Sequence, residues 1–169
     1  MNNELDDEAP DIEQLARDQT RTYIGRKFCS HDLARLVSLV LEAQGYRTQL
    51  APEGADGGID IVAGRGSMGF DSPRLCVQVK SSSDPIDAKP LRELQGVMTS
   101  CGAELGLLVS WGGFKSTVLK EARHLFFKVR LWDADDLVEN LLEHYSNLPK
   151  ELQSELPLKR IWMVADDSD

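Results

Sequence analysis

Apolar positions recur along the chain with two different periods, and the switching between them lays out the elements. Ile12, Leu15, Ala16, Tyr23 and Ile24 fall near one face of a helix that begins at Asp11, with Gly25 expected to interrupt it. Leu33, Leu36, Val37, Val40 and Leu41 form a broad apolar face and predict a helix over 31–44, with Ser30 as its N-cap and Gly45 ending it. Strands are expected at 46–51, 59–63 and 74–80. The first two are joined by a glycine-containing turn over 52–58, the last two by the hairpin-type linker GRGSMGFDSP. Asp87 caps a predicted helix through about Cys101, with Pro90 tolerated in its first turn. LGLLVSW at 105–111 lacks polar alternation and reads as a central strand covered on both faces. A helix over 116–127, a strand over 128–132 and a helix over 133–145 follow. This order predicts an α/β fold: a central mixed sheet of about five strands flanked by helices.

Composition narrows the class. A chain of 169 residues with 41% hydrophobic and 28% charged side chains fits one soluble globular domain. It holds no apolar run near the roughly 20 residues of a membrane span. Its acidic start, MNNELDDEAPDIEQ, is not a secretory signal. Cys29, Cys76 and Cys101 form no CxxC pair, which argues against a disulfide scaffold or a cysteine-based zinc site and for the cytoplasm. Charge is unevenly spread over the net −9. Residues 1–20 carry seven acids and one base (−6), residues 131–169 ten acids and three bases (−7), and residues 21–130 eleven acids and fifteen bases (+4). The mildly basic middle permits a phosphate-binding surface without demanding one. Residues 1–10 are expected to be disordered, 11–28 a helical extension, 29–146 the core and 147–169 a tail. Leu156, Leu158, Ile161, Trp162 and Met163 make that tail apolar enough to need cover from its own sheet or from a neighbour.

Strand alternation sets out the candidate chemistry. In 59–63, Ile59 and Ile61 are expected on one face and Asp60 on the other. In 74–80, Cys76, Gln78 and Lys80 share the face opposite Leu75, Val77 and Val79. Gln78 and Lys80 then lie roughly 7 Å apart, and Asp60 sits beside them if the strands pair. A carboxylate, an amide oxygen and an ammonium converging at a sheet edge suit phosphodiester hydrolysis. Asp60 would be the main ligand of an oxygen-seeking Mg²⁺ or Mn²⁺, and Lys80 would stabilise charge at phosphorus. The same D-to-QxK pattern also arises by chance, with the lysine reaching to solvent from a strand end.

PEGADGGIDIVAG followed by PRLCVQVKS resembles the Mrr-like restriction endonucleases, a branch of the PD-(D/E)xK nuclease superfamily. The resemblance continues through LRELQGVMTSCGAELGLLVSWGGF and VRLWDADDLVENLL and covers about residues 28–146. It implies a restriction-endonuclease-like core that cuts DNA with Mg²⁺ or Mn²⁺, in restriction or a related defence. Asp60 matches the family's metal-binding aspartate, Gln78 the position that is commonly Gln in this branch, and Lys80 the catalytic lysine. The chain departs from the pattern in its first helix, where the family's Phe-Glu pair falls on Leu33-Ala34. Asp32, Glu42 or Glu53 could stand in. Glu53, in the loop entering the Asp60 strand, is the first choice, and Glu42 is expected to pair with Arg35. No DNA-reading domain is evident, so a separate recognition subunit, a longer protein or recognition of DNA structure is implied. Cutting both strands with one site per chain calls for a homodimer or larger assembly. A Holliday-junction-type nuclease and a catalytically weak DNA-binding subunit are the alternatives.

Other features carry less. Ser81, Ser82 and Ser83 follow Lys80 directly and are placed to hold a neighbouring phosphate, with Lys89 and Lys115 as backbone contacts. Lys120, Arg123, Lys128, Arg65 and Arg74 could extend that track. GRGSMG lacks the ending of a P-loop. His31, His124 and His144 show no ligand spacing. Cys76 reads as a small buried residue, and Trp111, Trp132 and Trp162 as core or interface anchors.

Overall fold

The computed structural model describes residues 11–54 and 58–164; the expected disorder of residues 1–10 lies outside them. In chain order the elements are α1 (Ile12–Lys27), α2 (His31–Ala43), β1 (Arg47–Leu50), β2 (Ile61–Arg65), β3 (Asp71–Lys80), α3 (Lys89–Cys101), β4 (Leu105–Ser110), α4 (Ser116–Ala122), β5 (Val129–Trp132), α5 (Ala134–His144) and α6 (Lys150–Glu155). The five strands form one sheet in the order β1-β2-β3-β4-β5. The first two pairings are antiparallel and the last two parallel, with Gln78 opposite Leu108 and Lys80 opposite Ser110. Two layers cover the sheet. On one face Ile61, Val77, Leu107 and Val109 pack against α1, α2 and α5. On the other, Cys76 and Leu108 pack against Leu91, Leu94 and Met98 of α3 and Val118 of α4. β4 is buried on both sides, as its unbroken apolar run requires.

Several local expectations change for identifiable reasons. Gly25 does not break α1, which is continuous. A Cβ there would lie 3.1 Å from the Trp111 ring, so the glycine allows the helix to approach the end of β4. Ser30 gives α2 no side-chain cap; it adopts φ 52° and ψ −121°. The second strand starts at Ile61 instead of 59, because the chain bends through Gly58 at φ +68°. Two-residue alternation therefore fails there, and Ile59 packs on the α3 side while Ile61 enters the opposite core. α3 begins two residues after Asp87, whose Oδ1 still accepts the Lys89 N–H at 3.1 Å. The helix expected over 116–127 stops at Ala122, passes into a 3₁₀ turn at Arg123–Leu125 and leaves Phe126 and Phe127 outside it. α5 starts on a reciprocal capping box between Asp133 and Asp136. Burial pushes the Asp136 carboxyl above its ordinary range.

The tail divides. α6, which the apolar pattern did not reveal, buries Leu152, and Leu156 is 0% exposed in the core. Tyr145 Oη donates to the Leu156 carbonyl at 2.7 Å and accepts the Leu158 N–H at 3.0 Å. Tyr23 Oη donates to the Glu155 carbonyl at 2.8 Å. Ile161, Trp162 and Met163 remain exposed.

Candidate active site

The C-terminal end of β3 brings Asp60, Gln78 and Lys80 together. Asp60 lies just before β2 and is held through its backbone on both sides. Its N–H donates to Val77 O at 2.9 Å, and its carbonyl accepts the Ala51 N–H at 2.7 Å. Its Oδ2 accepts the Val79 N–H at 2.6 Å, which fixes the carboxylate across the end of β3 between Gln78 and Lys80. Gln78 is only 3% exposed, so both ends of its carboxamide need partners. In the orientation that satisfies both, its nitrogen donates to Pro90 O at 3.1 Å and its oxygen accepts from Lys80 Nζ at 3.3 Å. Pro90 stands in the first turn of α3, so the amide ties that helix to the strand carrying the lysine. Gly58, which leads the chain into Asp60, takes the left-handed conformation at φ +68° that side chains rarely adopt. Among the described residues, Lys80 forms no ion pair with a carboxylate.

The remaining candidates are spread around this centre. Ser81 and Ser82 are exposed on the loop leaving β3, and Ser82 Oγ accepts the Asp84 N–H at 3.2 Å. That loop packs against the turn after β4. A Cβ on Gly112 would lie 2.4 Å from Asp84 O, so only glycine fits between them. Lys115 is exposed beside Phe114, which bridges to Ile86, and its N–H donates to Ile86 O at 3.0 Å. Lys89 is exposed at the start of α3, with Glu93 at 3.8 Å. Lys128 lies at the opposite end of the sheet, just before β5, and is not part of this cluster.

Ala34, on which the resemblance places the family's first-helix glutamate, is buried. Glu42 does not pair with Arg35, contrary to expectation. It accepts the Thr48 hydroxyl at 2.7 Å, while Arg35 reaches Glu155 at 2.7 Å and Asp32 at 3.4 Å. The Glu155 carboxylate holds the Arg35 guanidinium above its ordinary pKa. These pairs commit Asp32 and Glu42 elsewhere. Glu53 is exposed in the turn after β1, next to residues outside the described set. Among the described residues no three His, Cys, Asp or Glu side chains cluster as a ready-made metal site.

His31, set aside on spacing, does have a place near the centre. At the start of α2 its Nε2 lies 2.8 Å from Ala51 O, so that nitrogen carries the proton and donates. Ala51 is the residue whose N–H holds the Asp60 carbonyl. A helix-start histidine carries no sequence pattern that would reveal this, and the Pro90 carbonyl is backbone, so neither was legible beforehand.

Residues 26–141 match the model of a restriction endonuclease family, Mrr_cat, and the chain belongs to that family. The fold is similar to that of the DNA modification-dependent restriction endonuclease AspBHI, with a TM-score of 0.62 at 16% identity over 85% of this chain. It is also similar to MspJI, solved in complex with a 27-mer oligonucleotide, with a TM-score of 0.54 at 19% identity over 86% of this chain. The chain spans 39% and 35% of those two enzymes. No curated protein sequence matches it. Among the described residues no helix is long and apolar enough to cross a membrane.

Proposed function

We propose that the chain is the nuclease core of a divalent-metal-dependent restriction endonuclease, cutting DNA at the C-terminal end of β3. The observation that carries this reading is the convergence of Asp60, Gln78 and Lys80 there, in a chain that belongs to a restriction endonuclease family. The donor set fits Mg²⁺ or Mn²⁺. Asp60 offers a fixed carboxylate with one oxygen engaged by Val79, Gln78 offers an amide oxygen, and such ions favour oxygen ligands and keep several waters. When bound, the ion supplies a water of lowered pKa and polarises the phosphate. The side chains do the remaining work. Asp60 holds its carboxylate in one orientation through the Val79 N–H. Gln78 keeps Lys80 turned into the site while leaving its full charge uncancelled, and Lys80 neutralises charge growing on the phosphoryl oxygens. The Ser81–Ser83 loop, braced on Gly112, holds the neighbouring phosphate.

DNA selection belongs, on this reading, to a partner or to protein beyond this core, because AspBHI and MspJI are each more than twice the length matched. The modification dependence of AspBHI makes base modification the first property to examine. The test is cleavage of supercoiled plasmid, methylated and unmethylated, with Mg²⁺, with Mn²⁺ and with EDTA. Metal-dependent nicking or linearisation supports the proposal. A purified chain inert on plasmid and on branched DNA, in both ions, would leave a binding subunit as the better reading.

A further inference from the structure

At the end of the sheet opposite Lys80, between α2 and the start of β5, lies an open groove of about 310 Å³. Its walls include Tyr46, Phe126, Phe127 and Trp132, with Lys128 and Arg130 on the rim and no carboxylate among the lining residues. Phe126 and Phe127 pack edge to face at 5.1 Å, and the Arg130 guanidinium stands 4.5 Å from the centre of the Phe126 ring. Phe127 is nevertheless 88% exposed. Among the described residues neither Lys128 nor Arg130 joins an ion pair. An aromatic pair this exposed, beside two cations that no described carboxylate pairs with, is a surface of defined chemistry: apolar in the middle and positive at the edge.

The complementary pattern occurs in the same chain. Past Leu158 the tyrosine anchors end, and Ile161, Trp162, Met163 and Val164 form an uninterrupted exposed apolar run in which Trp162 is 93% exposed. In the sequence Asp166, Asp167 and Asp169 come next. Apolar residues followed by acids match an apolar groove with a cationic rim.

We infer that Ile161–Val164 of one copy seats in the groove of a second copy, in a reciprocal two-fold exchange. Among the described residues nothing covers the exposed rings of the groove or the segment, and a surface that carries both halves of a contact closes on itself under two-fold symmetry, each copy giving one segment and receiving one. Trp162 is the anchor, a large rigid side chain entering an aromatic-walled site. The exchange leaves the Asp60–Lys80 end of each copy clear and puts two such ends in one particle.

Sedimentation velocity from low to high micromolar concentration tests this with wild type, Trp162→Asp, Phe127→Asp and Arg130→Glu. All three positions are exposed, so each variant keeps the wild-type circular dichroism and, at a concentration where the wild type is monomeric, its melting temperature. Wild type is expected to dimerise and each variant to dissociate at least about tenfold more readily. An equimolar mixture of Trp162→Asp and Phe127→Asp is expected to associate more strongly than either alone, because one groove and one segment remain intact between them. A strictly monomeric wild type overturns the inference, as does a dimer indifferent to all three substitutions. Failure of the mixed sample to regain association overturns the exchange. A monomer whose Trp162 fluorescence is shielded from quencher overturns it too, by showing the segment in its own groove.

Discussion

The two ends of the parallel strands differ in how their surfaces are satisfied. At the C-terminal end of β3 and β4 the polar groups are buried (Gln78, Ser110) or half-buried (Asp60, Lys80) and each is tied: Asp60 to Val79, Gln78 to Pro90 and Lys80, and Ser110 Oγ to Gly113 O at 2.8 Å. At the N-terminal end, about 16 Å away along a six-residue strand, apolar rings stand open to water. Polar groups held in a single geometry suit chemistry, because a fixed dipole costs no reorganisation when charge develops. Open apolar rings contribute little to the fold of one chain and gain only when something covers them.

Substitutions at the two ends should therefore fail in different ways. The largest effect is expected from Asp60→Ala and Lys80→Ala, each lowering metal-dependent plasmid cleavage by about three orders of magnitude or more with the secondary structure unchanged by circular dichroism. Wild-type turnover by either variant, free of contaminating nuclease, would remove the chemistry from this end. Next comes the frame behind it. Leu36→Ala, in the fully buried core between α2 and the sheet, should cost about 2–5 kcal/mol in urea unfolding, and a loss below about 1 kcal/mol would mean that the α2 layer is not packed as described.

Gln78→Glu sharpens the contrast from within the site. The carboxylate cannot donate to Pro90 O, so the variant should lose about 1–3 kcal/mol of stability from the unpaired buried carbonyl, read as a lower melting temperature. The added charge should leave Mn²⁺ affinity equal or higher in calorimetric titration, while cleavage falls because the new carboxylate pairs with Lys80 and repels phosphate. Weaker Mn²⁺ binding would contradict the ligand role given to this position. The smallest effect belongs to the other end: Phe127→Ala should shift monomer stability by no more than about 0.5 kcal/mol. A larger loss, measured at a concentration where the chain is monomeric, would show that the ring supports its own fold and would erase the distinction between the ends.

A thiol-labelling experiment separates surface from core. Cys76 is buried, and burial pushes its thiol up to about 12, whereas Cys29 and Cys101 are exposed. In the native state Cys29 and Cys101 should react with a maleimide and Cys76 should not, until denaturant is added.

The periodicities of the sequence by themselves determined the order of elements from α1 to α5, the mixed sheet, the double burial of β4 and the shared face of Cys76, Gln78 and Lys80. Those features depend on geometry repeating every two or 3.6 residues, which neighbouring side chains encode directly. The family motif around Asp60 was likewise written in consecutive residues. Tertiary structure alone decided the rest. Ile59 and Ile61 part to opposite layers because Gly58 bends the chain before the strand begins. Gln78 is bound to a backbone carbonyl of α3, a group that no side-chain pattern advertises. Arg35 chose Glu155, 120 residues away, over Glu42 seven residues away. Leu156 found the core while Trp162 did not, because two tyrosine hydroxyls on α1 and beside α5 end their hold at Leu158. Each of these turns on which distant surfaces meet, and a contact between distant residues leaves no period in the chain that makes it.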